Sequence, residues 1–278
     1  MRIVRYDPQP MTADLVTLER DEDVAVVSLN RPERLNAYGW EMGAALVERM
    51  EAVAADPDVR AVVLRGNGRA FCAGLDFTAD VRDRIVGRSP AERVRNYYQR
   101  FRGSHRRMQF IEDVPQPVVV AIHGYCLGAG LEVALLGDIR LAADGTVFGA
   151  PEVAIGVAID GGLDMRLCEE VGPGWAKWIT LTARRFDAAK AREIGLVQEV
   201  HAPDALDAAA RTLAHEIAAH APLAVQGTKR VLRYCEGKSV EDGLAFVATW
   251  NAAFLDSEDL KEAMRAFFEK RPASFTGR

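Results

Sequence analysis

Cysteine and long apolar runs are both scarce in this sequence. The four cysteines are scattered, without a CxxC pair and without a nearby histidine cluster. This spacing favours reduced thiols over a disulfide framework or a structural zinc site. No stretch approaches membrane-spanning length, and the residues after Met1 lack the apolar run of a signal peptide. Together these absences predict a soluble, cytoplasmic protein.

Positive charge is not in excess either. The formal net charge is −5 and 27% of the residues are charged, so no global basic surface indicates nucleic acid or a membrane as a partner. A local basic patch for the phosphates of a small ligand is still compatible with this balance. The 278 residues, 49% of them hydrophobic, are enough for one large domain or for a core with a smaller appendage.

Strand-like and helical patterns alternate in the first part of the chain, and helical patterns dominate the rest. β-rich runs occupy 24–29, 59–66, 118–122 and 138–143. Helical periodicity covers 40–54, 91–111 and the region around 131–136. Beyond residue 172 we expect helices at 173–182, 187–194, 204–219, 222–235, 239–255 and 257–270, interrupted only by 197–200. The alternation predicts an α/β fold with a helical tail.

Two glycine-containing turns are candidates for holding an anion. Gly128-Ala129-Gly130 is similar to part of a dinucleotide-binding fingerprint, but it stands too far from the preceding strand, and Glu132 would lie beside the pyrophosphate. A nicotinamide cofactor is therefore not favoured. Free N–H groups at a helix start can instead stabilise an oxyanion, and the N–H groups of Ala129 and Leu75 are the candidate donors. Taken alone, each turn is more typical of a plain glycine turn.

Several motifs together resemble one known family. In order along the chain they are NRPERLNA (30–37), GRAFCAGLD (68–76), PQPVVVAIHGYCLGAGLEVALLGDIRLAA (115–143), FGAPEVAIG (148–156) and TARRFDAAKAREIGLVQEV (182–200). They resemble the enoyl-CoA hydratase/isomerase, or crotonase, superfamily, and the resemblance runs from about residue 24 to the end. It implies an α/β spiral of ββα units over residues 1–200. It further implies a helical region over 201–278 that packs on this core and on neighbouring subunits of a homotrimer or homohexamer.

The resemblance also implies the substrate and the residues that hold it. The substrate would be an acyl-CoA thioester whose carbonyl oxygen becomes an enolate, held by the backbone N–H groups of Leu75 and Ala129. The family usually has glycine where Ala129 stands, so the extra methyl is expected to narrow the pocket. Coenzyme A is part of the substrate, and no separate cofactor or metal is expected. The implied substrate-binding positions are Arg34, Leu35, Ala37, Ala73, Asp76, Phe77 and Lys270.

Three carboxylates are candidate proton-transfer groups. Glu132 and Glu152 match the two glutamates of the family's hydratases, where a carboxylate pair can orient water and move its proton. Asp160, eight residues after Glu152, matches the third acid of the Δ3,5-Δ2,4-dienoyl-CoA isomerases. The segments 222–232 and 239–251 resemble the same subgroup. That subgroup usually has Asp where this chain has Glu132, which is the choice of the hydratases.

The isomerase reaction explains why two separated carboxylates are useful. Moving a 3,5-diene to a 2,4-diene removes a proton at C2 and adds one at C6, which a single base cannot easily do. By family analogy Asp160 would act at C2 and Glu152 at C6, with Glu132 as a supporting polar group. The alternatives are a 2-enoyl-CoA hydratase that uses Glu132 and Glu152, and a non-catalytic scaffold of the same fold. The retained carboxylates argue against the scaffold.

Two segments have less regular patterns. PEVAIGVAIDGG (151–162) is apolar between its two acids, as in a stretch built for the interior of the protein. Residues 78–90 are charged and irregular. We expect the segment 78–112 to line the acyl pocket.

Overall fold

A six-stranded sheet forms the centre of the molecule. The structure, a computed structural model, describes residues 15–76 and 86–278. The strands of this sheet follow the spatial order β1-β2-β3-β4-β6-β9, and all pairs are parallel except β1 with β2. Their bounds are Val16–Asp21 (β1), Val24–Leu29 (β2), Ala61–Gly66 (β3), Val118–Ile122 (β4), Ile139–Ala143 (β6) and Glu199–His201 (β9).

Helices cover both faces of this sheet. Alternate residues of the parallel strands, such as Val26 and Val63, pack against α6 (Leu206–Ala218). Their neighbours in sequence, such as Val27 and Val62, pack on the other face in a cluster that includes α1 (Trp40–Ala55). Strands that are buried on both faces are uniformly apolar, which is why the runs at 24–29 and 118–122 could be predicted, and both predictions are confirmed.

A smaller sheet positions the candidate site. It consists of β5 (Tyr125–Leu127), β7 (Val147–Gly149) and β8 (Phe186–Asp187). The helix α3 (Ala129–Ala134) begins directly after β5, and Pro151 follows closely after β7. Because β5 and β7 are parallel and in register from Tyr125 to Leu127, the segments that follow them leave this sheet side by side.

The remaining helices extend from this core. They are α2 (Pro90–Asp113), α4 (Leu163–Thr182), α5 (Ala188–Glu193), α7 (Pro222–Cys235), α8 (Val240–Phe254) and α9 (Glu258–Glu269). Ser89 caps α2 by accepting a hydrogen bond from the Glu92 N–H at 3.2 Å. The helix α4 contains a non-helical residue, Gly172, with φ 74°. The predicted helix at 173–182 is therefore only its second half, and the half before Gly172 was missed.

The interpretation of 151–162 as an interior stretch is wrong. Residues 152–155 form a short 3₁₀ helix and the following residues form a loop, and the stretch from Val153 to Ala158 is exposed. Gly156, Gly161 and Gly162 have positive φ values of 75°, 67° and 84°, so the backbone turns repeatedly instead of extending. Its apolar side chains include Ile155 and Val157, which line a cavity rather than the core. The α/β fold class itself is confirmed.

Candidate active site

A cavity of about 420 Å³ lies between α1 and α2 on one side and α3 with its neighbouring loops on the other. Its apolar wall includes Trp40, Val47, Phe101 and Met108. The cavity brings together residues that are far apart in sequence. Six of the predicted site residues line it: Ala73, Leu75, Ala129, Glu132, Glu152 and Asp160.

Two backbone loops lie side by side at the edge of the cavity. An isolated parallel β-bridge pairs the backbones of Cys72 and Cys126, whose thiols are both free. The Leu127 N–H donates to the Cys72 carbonyl at 3.1 Å. A Cβ on Gly130 would overlap that same carbonyl. Only glycine at position 130 therefore allows the start of α3 to lie this close to the loop that contains Cys72. This close packing brings together Leu75 and Ala129, which both line the cavity.

The N–H groups of Leu75 and Ala129 can both donate a hydrogen bond to a bound acceptor. The Ala129 N–H stands in the first turn of α3, where N–H groups have no acceptor within the helix. Among the residues that the structure describes, none accepts a hydrogen bond from the Leu75 N–H. The neighbouring Tyr38 N–H donates to the Gly74 carbonyl at 2.7 Å, which fixes the turn that precedes Leu75. The arrangement can hold a carbonyl oxygen that gains negative charge.

Glu132 is the most deeply buried of the three carboxylates, with 6% of its surface exposed. Burial, reinforced by the charge of Asp160, raises its pKa to about 8. Arg166 acts in the opposite direction. Within the described ranges no group forms a hydrogen bond with its Oε1. The Glu132 carboxyl is therefore protonated at neutral pH, and it can donate a hydrogen bond into the cavity.

Glu152 and Asp160 face the same cavity from the 3₁₀ helix and from the loop after it. Burial raises the pKa of both carboxyls, and the charge of Asp160 raises the pKa of Glu152 further. The nearby His105 lowers the pKa of Asp160. Carboxyls with different environments around one cavity can act as acid and base. The Glu152 Oε2 is also buried without a hydrogen bond from the described residues.

An aromatic wall and an ion-pair cluster at this site were not found from the sequence. Phe101 contacts Trp40 and Tyr97, with ring centroids 5.7 Å and 4.4 Å apart. The described part of the segment 78–112 therefore does contribute to the cavity, through residues 97–108. Arg166 lies behind Glu132. It follows Leu163 by three residues on α4 and therefore lies on the helix face of the buried Leu163, Leu167 and Val171. A charged residue on a buried helix face was the signal in the sequence that could have revealed it.

Most of the other implied substrate-binding positions lie outside the cavity lining. The Ala73 N–H donates to the Leu35 carbonyl at 3.0 Å, so the segment of Arg34, Leu35 and Ala37 runs beside the Leu75 loop. Asp76 is paired with Arg31 at 2.5 Å. Lys270 is exposed at the end of α9 and does not line the cavity. Phe77 lies outside the described residues. The binding roles of these residues stay predictions.

Two broader absences hold for the described part of the chain. In residues 15–76 and 86–278, no group of three His, Cys, Asp or Glu side chains is arranged to hold a metal ion. No helix in those ranges is long and apolar enough to cross a membrane.

Comparisons with known proteins identify the family of this chain. A family model described as enoyl-CoA hydratase/isomerase matches residues 19–278. The chain is 35% identical to a peroxisomal Delta(3,5)-Delta(2,4)-dienoyl-CoA isomerase of Arabidopsis thaliana, over 95% of this chain and 96% of that protein. It is 34% identical to a short-chain-enoyl-CoA hydratase of Clostridium acetobutylicum, over 94% and 97%. A solved enoyl-CoA hydratase of Bacillus anthracis superimposes with a TM-score of 0.86 at 29% identity, covering 95% of this chain and 100% of that one.

Proposed function

Because the chain belongs to the enoyl-CoA hydratase/isomerase family, we propose that this enzyme isomerises a 3,5-dienoyl-CoA to a 2,4-dienoyl-CoA. Family membership supplies the acyl-CoA thioester as the substrate class. One observation carries the finer proposal: Asp160 lines the same cavity as Glu132 and Glu152. A hydratase needs two carboxylates to move one water molecule. The third one suits a reaction that exchanges protons at two separated carbons.

The proposed reaction proceeds through an extended enolate. A base removes the proton at C2, and the electron pair of that C–H bond is delocalised over the thioester oxygen and the conjugated carbons. The N–H groups of Leu75 and Ala129 hold the charged oxygen. An acid then delivers a proton at C6, which leaves double bonds at C2 and C4. No net charge or atom is gained, so the cavity has only to place an acid, a base and two donors.

The environments of the carboxyls support one assignment of these roles. Burial raises the pKa of Asp160, but the neighbouring His105 offsets part of this rise, whereas the pKa of Glu152 has no such neighbouring positive charge among its causes; Asp160 is therefore the proposed base at C2. Burial and the charge of Asp160 favour the protonated form of Glu152, so Glu152 is the proposed acid at C6. Glu132 holds a proton at neutral pH because its pKa is about 8. It thereby avoids placing a second negative charge beside the enolate.

A second candidate function is 2-enoyl-CoA hydratase. Glu132 favours it, because the isomerases usually have Asp there and the hydratases have Glu. The hydratase of Clostridium acetobutylicum is also as similar to this chain as the isomerase of Arabidopsis thaliana is. In that reaction Glu132 and Glu152 would hold one water molecule between them and add it across the 2-enoyl double bond.

The test is to give the purified protein a 3,5-dienoyl-CoA and a 2-enoyl-CoA in separate assays. We expect a gain in 2,4-diene absorbance with the first substrate. In Asp160→Asn the isomerisation rate should fall at least about 100-fold, since general acid–base groups contribute about 10²- to 10⁴-fold, while CoA binding is retained. Hydration without isomerisation would establish the second candidate. An Asp160→Asn variant with the wild-type isomerisation rate would refute the role of Asp160.

Assembly into trimers or hexamers is part of the same proposal. The exposed apolar side chains of the last two helices support it: Val240, Phe267 and Phe268 are 80%, 78% and 75% exposed in the single chain. Phe267 and Phe268 are in contact with each other, and a contiguous exposed apolar surface marks an interaction site. Four further points stay predictions. They are the contact of Lys270 with the nucleotide of a neighbouring subunit, the absence of a separate cofactor, a cytoplasmic location, and the division of the chain at residue 200 into an α/β core and a helical region.

A further inference from the structure

A pair of opposite charges lies behind the candidate site. Arg166, in the first turns of α4, forms an ion pair through its Nε with the Glu112 Oε1 near the end of α2. Only 17% of the Arg166 side chain and 8% of the Glu112 side chain are exposed. Arg233 of α7 contacts the other oxygen of Glu112 at 3.2 Å. The sequence separation of Arg166 and Glu112 is 54 residues, so the pair forms only when α2 and α4 pack together.

The same arginine holds the loop that carries Asp160. Its Nη1 donates to the Gly161 carbonyl at 2.8 Å. Gly161 in turn packs directly against the Glu132 carboxyl, so closely that a Cβ at this position would overlap it. One guanidinium therefore connects Glu112, the Asp160 loop and the surface on which Glu132 rests.

We propose that Glu112 and Arg166 form a positioning pair for the acid/base site, which holds the loop 160–162 against Glu132 and balances the charge beside that carboxyl. The inference rests on the proposed function in one respect, since the loop matters for catalysis only if Asp160 does. Neither residue lines the cavity. Both act through the groups that do.

The two charges of the pair shift the pKa of Glu132 in opposite directions. Arg166 lowers the pKa of Glu132 and Glu112 raises it. Among the described residues, the charged or titratable groups that face Glu132 are Tyr38, Cys72, Glu112, Glu152, Asp160 and Arg166, and the cavity wall from α2 adds His105 and Arg107. Burial raises the pKa of both Tyr38 and Cys72 far above neutrality, so these two stay neutral wherever Glu132 titrates.

Four variants separate charge from position. Arg166→Met removes the positive charge, Glu112→Gln removes the negative one, and the double variant removes both. Arg166→Lys keeps the charge but loses the planar fork that serves Glu112 and Gly161 together. Arg211→Met is the matched control, because Arg211 is a partly buried arginine paired with Asp21 at 2.6 Å and with Asp207 at 2.9 Å, away from the cavity.

The first measurement is the pH titration of Glu132 by infrared difference spectroscopy, with the band identified by its loss in Glu132→Gln. We expect the midpoint to rise by about one pH unit in Arg166→Met and to fall by about one unit in Glu112→Gln, since a neighbouring charge shifts a pKa by about 1–3 units. In the double variant, which also guards against misfolding caused by an unpaired buried charge, the midpoint should return close to the wild-type value. Arg211→Met should not move it.

The second measurement is turnover with whichever acyl-CoA the protein accepts. Arg166→Lys should lower kcat about tenfold and change KM by less than about threefold, because the loop shifts while the charge remains. The titration needs no substrate, so failure of the proposed reaction would leave this inference standing. The inference is overturned if Arg166→Met and Glu112→Gln move the midpoint in the same direction or not at all. It is equally overturned if Arg166→Lys turns over like the wild type.

Discussion

Glu132 combines a buried position with an unpartnered oxygen, and this combination has a cost for the folded state. Its pKa is raised from an ordinary 4.5 to about 8 in the folded chain. Between these two pH values the folded protein holds a proton that the unfolded chain has lost. Stability therefore decreases as pH rises through this window, and the decrease is complete above about pH 8.

The residue-scale prediction is that Glu132→Gln removes this pH dependence. The variant should lose less stability than the wild type between about pH 5 and pH 8, by a few kcal/mol, because one pKa unit corresponds to ~1.4 kcal/mol. Urea unfolding of both proteins across that range measures the difference. Stability curves that run parallel for the two proteins would show that Glu132 ionises in the folded state as readily as in the unfolded chain.

At the scale of elements, the loop 160–162 depends on glycine for two separate reasons. Gly161 has a φ of 67° and lies against the Glu132 carboxyl, whereas Gly145, in the turn between β6 and β7, has a φ of 77° with open space around it. Alanine at either position has the same backbone strain, about 1–2 kcal/mol. Only at 161 would its methyl group also displace a carboxyl of the candidate site.

We therefore expect both Gly161→Ala and Gly145→Ala to be destabilised, Gly161→Ala by more because its methyl also displaces a buried carboxyl, and only Gly161→Ala to lose activity, by about tenfold or more. Thermal unfolding measures the first effect, and steady-state turnover of an acyl-CoA measures the second. Equal activity in the two variants would mean that contact with Gly161 does not hold Glu132 in place.

The same scale shows what could be read from the sequence. The strands β2 and β4 could be predicted because burial on both faces leaves an unbroken apolar run. The edge strand β1 was missed because most of its residues are partly or fully exposed and its sequence, VTLERD, is largely polar. The apolar run before Asp160 was misinterpreted because a cavity lining and a core have the same composition. Arg166 and Glu112 could not be paired, because their contact exists only through the packing of two distant helices.

At the scale of the whole molecule, the last helix presents an apolar face to solvent. Phe267 and Phe268 are largely exposed in the single chain, and Met264 and Leu260 are 56% and 40% exposed. Burying surface of this kind contributes about 25 cal/mol per Å² of apolar area. A single chain in water forgoes this contribution, and an oligomer gains it.

We predict that the protein is a trimer or a hexamer and that Phe267→Ser combined with Phe268→Ser shifts it toward smaller species. Light scattering coupled to size-exclusion chromatography measures the mass. Leu18→Ser, at an exposed position of β1, is the control and should leave the mass unchanged. A wild-type protein that elutes with the mass of one chain would contradict the assembly.

The cavity combines main-chain groups, proposed to hold the substrate, with side chains, proposed to move protons. This difference has a consequence for how the reaction can change. The groups proposed to hold the thioester oxygen are main-chain N–H groups. Their two loops are held together by the backbone β-bridge between Cys72 and Cys126. The groups proposed to move protons are side chains. Substitution of Glu132, Glu152 or Asp160 can therefore change the proposed proton transfers, while the main-chain groups proposed to hold the thioester stay the same. A scaffold divided in this way can acquire a new reaction without first losing its hold on the substrate.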